Sequence, residues 1–194
     1  MASVLQVEEL RGSTTGANAN KIIIPSGQTL DISDWSPPAG TVLQVVQSHE
    51  SDWVAVSVNH NSGGATVMSA SITPSSATSK ILLLGTFHVG GQDGSVMLRA
   101  LRGSTPIAIG NTASNRTRTW WTYDMDSSDT FGVENVSLHY LDSPNTTNQV
   151  TYNINLSQWR AYTVYLNRSL QDRDATDGYD GRAASSLVLM EIAG

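Results

Sequence analysis

The stretch Ile81-Leu82-Leu83-Leu84-Gly85-Thr86-Phe87-His88-Val89 breaks at Gly90-Gly91-Gln92-Asp93-Gly94 and resumes at Val96-Met97-Leu98-Arg99-Ala100-Leu101. Its reading decides the fold. Two apolar runs of strand length flank a glycine-rich turn, and a second turn, Arg102-Gly103-Ser104-Thr105, follows as a hairpin candidate. Neither run carries the i, i+3, i+4, i+7 stripe of an amphipathic helix. Outward from this centre the same grammar repeats. Strands are expected at Val42–Val46, Trp53–Val58, Ala65–Ile72, Ile107–Ile109, Thr119–Tyr123, Gly132–Tyr140, Gln149–Leu156, Tyr162–Leu166 and Ser186–Ile192. Many short strands without alternating helices predict an all-β antiparallel sandwich, jelly-roll-like, over residues 41–194.

Residues 1–40 differ in character. A polar stretch from Arg11 to Asn20 precedes Lys21-Ile22-Ile23-Ile24-Pro25-Ser26-Gly27, and Ser36-Pro37-Pro38-Ala39-Gly40 reads as a stiff, extended hinge. Three consecutive isoleucines place apolar side chains on both faces of a strand, which so short a segment cannot bury alone. They must pack on the head or on another chain. Residues 1–40 are therefore expected to form an extended docking or oligomerisation arm, with Val4, Leu5, Val7, Ile22, Ile23 and Ile24 as its contact residues.

Composition narrows the chemistry. Charged residues make up 14% of the 194 positions, against about 25% in an ordinary domain, and there is no cysteine. Ser, Thr and Asn, at 25, 19 and 12, supply the polarity instead. The absence of Cys excludes disulfide frameworks, thiol nucleophiles and thiolate zinc sites. A net charge of −6 with only two lysines, Lys21 and Lys80, weighs against a nucleic-acid partner. No run of 18 apolar residues predicts a membrane span. The opening Met1-Ala2-Ser3-Val4-Leu5 lacks the basic and apolar regions of a signal peptide, so synthesis in the cytoplasm is expected.

No catalytic motif emerges, neither Gly-x-Ser-x-Gly nor a phosphate-binding loop, and no cofactor or metal is expected. The four histidines lack the close spacing of a metal pair. Asp172, Asp174, Asp177 and Asp180 could in principle hold calcium, but Gly178 is misplaced for the EF-hand pattern and Arg173 and Arg182 can neutralise the run; a solvated loop is the expectation. Trp120-Trp121-Thr122-Tyr123 leads into Asp124, Asp126 and Asp129, an aromatic and acidic combination that can stack on and hydrogen-bond a sugar. With Asp93, residues Trp120, Trp121 and Tyr123 are the candidate glycan contacts; the alternative is a strand with core-facing aromatics and a solvated acidic turn. Five Asn-x-Ser/Thr matches, Asn167 among them, carry no weight in so Asn- and Ser-rich a chain.

Several phrases point further. Ser3-Val4-Leu5-Gln6-Val7, the run from Ile24 to Ile32, and Pro38-Ala39-Gly40-Thr41-Val42-Leu43-Gln44-Val45-Val46-Gln47 resemble the start of many tailed-phage virion proteins, especially of marine and cyanobacterial phages. Ser71 to Leu83, Leu98 to Ala108, Tyr140 to Thr147, Val164 to Ser169 and Gly181 to Ile192 are similar to phrases of the same group. The resemblance implies a structural protein of the virion surface: a capsid decoration (cement) or head-fibre protein, or a tail-fibre component. It also implies a homotrimer with β-sandwich heads whose partners are the major capsid protein or a tail component. It supplies no catalytic residue. An adhesin binding host-surface glycans is the alternative it leaves open, with a glycan-degrading enzyme well behind.

Overall fold

The computed structural model describes residues 14–16, 26–27, 36–126, 128, 130–160, 162–176 and 178–194. Eleven strands run along the chain among them: β1 (Val42–Glu50), β2 (Val54–Val56), β3 (Ala65–Ile72), β4 (Lys80–Gly90), β5 (Gly94–Arg102), β6 (Thr105–Ile107), β7 (Trp121–Met125), β8 (Val133–Asp142), β9 (Val150–Gln158), β10 (Val164–Leu166) and β11 (Ser185–Ile192). One 3₁₀ turn, His60–Ser62, is capped by the Asn59 side chain. The unit Pro37–Gly194 is an all-β sandwich of two antiparallel sheets, as the strand grammar predicts.

The decisive stretch of sequence supplies one central strand to each sheet. β4 alternates fully, burying Ile81, Leu83, Phe87 and Val89 without any exposed surface. Gly85 occupies the remaining inward position, where a Cβ would lie 2.4 Å from the Phe87 ring; the glycine makes room for that ring. In the facing sheet β5 turns Val96, Leu98 and Ala100 inward, and β9 turns Val150, Tyr152, Ile154 and Leu156 inward. These two faces, completed by β3, Val136 and Leu138 of β8, and Leu187 and Leu189 of β11, form one continuous apolar core. The period of two in the sequence becomes two interlocking inner faces.

Strand order gives the topology. Leaving aside the three-residue strands, one sheet reads β1-β11-β4-β8 and the other β3-β9-β5-β7, the order of a jelly roll. Both central strands share one edge between two partners. β11 pairs with β4 over Lys80–Thr86, and β10 takes over at Val89 and Gly90. Likewise β7 pairs with β5 over Gly94–Leu98, and β6 takes over at Ala100–Arg102. The expected hairpin lies at this second handover, with Arg102 opposite Thr105 and Gly103 in the left-handed region at φ 59°. The strand runs Thr105–Ile107 instead of Ile107–Ile109: hairpin pairing with Arg102 starts it at Thr105, and Ala108, at φ 54°, ends it.

Where β10 replaces β11, a buried polar pin closes the seam. The Asn167 backbone N–H donates to the His88 carbonyl at 2.8 Å, and the Ser185 hydroxyl accepts the His88 N–H at 3.1 Å. Ser185 donates to Asn167 Oδ1 at 2.6 Å, while Asn167 Nδ2 donates to the carbonyls of Glu50 and Asp52 at 2.8 and 2.9 Å. Asn167 stands at φ 67°, a conformation asparagine tolerates better than most residues. Both side chains are buried.

Two carboxylates are used similarly. Asp142, ending β8, accepts both Arg102 Nη1 contacts, at 3.0 and 2.9 Å, and the Tyr152 hydroxyl at 2.8 Å, tying one sheet to the other. Burial, followed by the hydrogen bond and charge of Asp142, pushes the Tyr152 hydroxyl far above its ordinary pKa, so it remains a donor. Glu191 of β11 is fully buried; it accepts the backbone N–H and hydroxyl of Ser75 at 2.7 and 2.6 Å and the amide of Gln44. Burial pushes its carboxyl up, but these donors outweigh that and hold it below the usual glutamate range. The depressed value means that Glu191 stabilises the fold fully above about pH 4.3 and loses that contribution as pH falls through its folded pKa. The expected result is a Tm flat from neutral to about pH 5 and falling below it, whereas Glu191→Gln has a lower neutral Tm and a shallower acid limb. Equal acid limbs in a pH series of thermal melts would rule the role out.

Candidate functional site

The described surface holds a concavity that combines an exposed indole with several carboxylates. It lies on the outer face of the β3-β9-β5-β7 sheet, at the end where β5 begins. Trp159, just past β9, and Asp124, in β7, flank Ser95 of β5: the Trp159 N–H donates to the Ser95 carbonyl at 2.9 Å, and Asp124 is in register with Ser95. The two flanks are thus about 10 Å apart, two strand spacings. Asp93, Asp126 and Arg160 complete the lining of a cleft of about 570 Å³.

Each part is held from behind. Trp159 is 55% exposed, yet its ring rests on buried His60 at 4.7 Å between centroids. Burial, and then the charge of Arg99, push the His60 pKa below its ordinary value, so the supporting ring is neutral near pH 7. The Trp159 carbonyl accepts Asn59 Nδ2 at 3.0 Å. The start of β5 needs its glycine: Gly94 has φ 122°, and a Cβ there would lie 3.5 Å from the Arg160 side chain, which reaches Asp93 with an ion pair of 3.0 Å. Asp126 Oδ1 accepts both the N–H and the hydroxyl of Ser128 at 2.8 Å, which holds its carboxyl below the usual carboxylate range. The cleft offers an apolar ring face, hydrogen-bond-accepting carboxylates and one guanidinium, with acidic side chains in excess.

The structure distributes the candidate glycan residues between two places. Asp93 lines the cleft. Trp120 instead packs edge-on against Phe87 at 5.5 Å and donates Nε1–H to the Ser137 carbonyl at 3.3 Å. Trp121 and Tyr123 stack on each other at 6.0 Å along β7. Their registers with Leu98 and Val96 put them on the core-facing side of the sheet edge, opposite to Asp124. Trp159 was missed. Continuing the inward series 150, 152, 154, 156 to buried Gln158 would have placed Trp159 on the outer face.

The acidic loop is held by arginine. Asp172 is bracketed by Arg168 and Arg182, each at 2.6 Å, and Asp180 accepts Ser169 at 2.9 Å and Arg173 at 2.8 Å. Desolvation works against ionised Asp180, but Ser169 and Arg173 outweigh it and keep the carboxyl below the usual range. Arg168 also lies over the Tyr165 and Trp53 rings at 3.9 and 4.7 Å. Asp129 and Asp177 are outside the described residues. Among the described residues no group of three or more His, Asp or Glu could hold a metal ion, and no helix is long and apolar enough to cross a membrane. The arm residues Val4, Leu5, Val7, Ile22, Ile23 and Ile24 also lie outside the described residues.

No protein-family profile and no curated protein matches the chain. Among solved structures, it is similar to a chain in the structure of infectious bursal disease virus, Gx strain, at 14% identity and a TM-score of 0.36. The match covers 88% of this chain and 43% of the viral one, so the chain spans less than half the length of that relative.

Proposed function

We propose that the chain is a non-enzymatic structural protein of a virus particle, displayed on the exterior as a trimeric capsid decoration or fibre head of the tailed-phage type its phrases resemble. The observation that carries the reading is where the scarce charge goes. Asp142 with Arg102, Glu191 with Ser75, and Asp172 and Asp180 with three arginines all fasten strands or loops together. Such a head spends its ionic groups on durability, as a particle-surface module must.

The test is to purify particles of the encoding virus, quantify this chain by mass spectrometry, and locate it by electron microscopy with a bound antibody. The expected result is an exterior protein present in a multiple of three copies. Absence from purified particles, or an interior location, would overturn the proposal.

A further inference from the structure

We infer that the Trp159 cleft binds a neutral saccharide, a pyranose ring stacking its C–H face on the indole while its hydroxyls donate to Asp124 and Asp126. This deepens the virion-exterior reading, naming what the displayed head would touch, and it is carried by the geometry of the cleft itself.

Three features converge. First, a large indole is exposed and also fixed, seated on buried His60 and anchored through both backbone groups. Trp120, by contrast, turns its ring edge-on against core Phe87. Tryptophan offers broad apolar contact at little conformational cost. Second, the opposite flank carries carboxylates about 10 Å away, across the backbone of β5, which leaves width for one ring between them. A cleft of about 570 Å³ lies within the ordinary range for small-ligand sites, about 300–1,000 Å³. Third, the charges select. Three carboxylates face one guanidinium, and Arg160 is committed to Asp93, so the cleft is net acidic. A carboxylated or sulfated sugar would meet repulsion, whereas neutral hydroxyls would form charge-assisted hydrogen bonds to Asp124 and Asp126. A protein partner would want a broader apolar surface than one indole.

The experiment takes the purified full chain to an array of neutral, sialylated, uronate-containing and sulfated oligosaccharides, followed by tryptophan-fluorescence titration with the neutral oligosaccharides that bind. The expected result is binding confined to neutral structures, weakened at least tenfold in Trp159→Ala and several-fold in Asp124→Asn. Trp121→Ala serves as the control that leaves binding intact. Thermal melts keep the variants honest, since an exposed side chain and a surface carboxylate leave Tm within a few degrees of the parent. No binding to neutral glycans, preference for acidic ones, or binding unchanged in folded Trp159→Ala each overturns the inference. The two proposals fail separately: saccharide binding by the purified chain is independent of its presence in particles, and the reverse also holds.

Discussion

Replacing Asn167 with alanine is expected to destabilise the head by about 3 kcal/mol, about 2 kcal/mol of it from three side-chain hydrogen bonds, one buried and two part-buried, and the rest from backbone strain. The loss falls hardest on the Ser185 hydroxyl, which is fully buried. The carbonyls of Glu50 and Asp52 lose their donor and the Ser185 hydroxyl loses its acceptor. Alanine at φ 67° adds strain of about 1 kcal/mol. Asn167→Gly separates the two contributions, since it keeps the left-handed backbone and removes only the side chain; it should fall between parent and alanine variant. For a unit of this size each kcal/mol moves Tm by about 2–4 °C, so thermal and urea melts resolve the difference easily. An alanine variant within 1 kcal/mol of the parent would mean that the seam between β10 and β11 closes without its pin.

Asp142→Ala should cost a similar amount, about 3 kcal/mol, by a different route. Removing one member of a buried charged group strands the others. Tyr152, with no exposed surface, would keep a hydroxyl with nothing to donate to, and Arg102 would keep only the Ser143 carbonyl at 3.1 Å. Arg102 is one-third exposed, so water recovers part of its loss, which places the figure at the low end for such deletions. Tyr152→Phe leaves the ion pair in place and should cost about 1 kcal/mol. The informative measurement is the double-mutant cycle. Once Asp142 is gone, deleting the hydroxyl should cost nothing or restore stability, giving a coupling of 1 kcal/mol or more. Additive losses would show that the two side chains act independently.

The strands were legible because their physics is local. β-Branched and apolar residues at period two, punctuated by Gly-Gly, Asp-Gly and Ser-Pro-Asn, specify a half-buried extended chain before any partner is known. The jelly-roll order was legible only as a class. Nothing in Val164-Tyr165-Leu166 says that it continues the edge of β4 that β11 leaves, since that depends on where each strand stops. The site was half legible for the same reason. Adjacent aromatics at Trp120-Trp121 drew attention, yet exposure follows from register against β5, a non-local property. Trp159 lies outside any aromatic cluster in sequence, and only the extended alternation of β9 marks it. Asn167 matched a glycosylation pattern and was set aside on composition; its burial beneath the seam shows a structural use that no local pattern encodes.

The pairing of Val42 with Ile192 also governs how the protein is made. Among the described residues β1 pairs with β11 alone, and nine strands lie between them in the chain. During synthesis β1 must therefore wait, unpaired, until the whole of the head has been translated. Central β4 waits too, with one long edge open. Folding of this kind is slow and has its aggregation risk concentrated before the last strand arrives. The residues of β1 are none of them fully buried even in the finished sandwich, so this strand gives up the least by spending its early life in water.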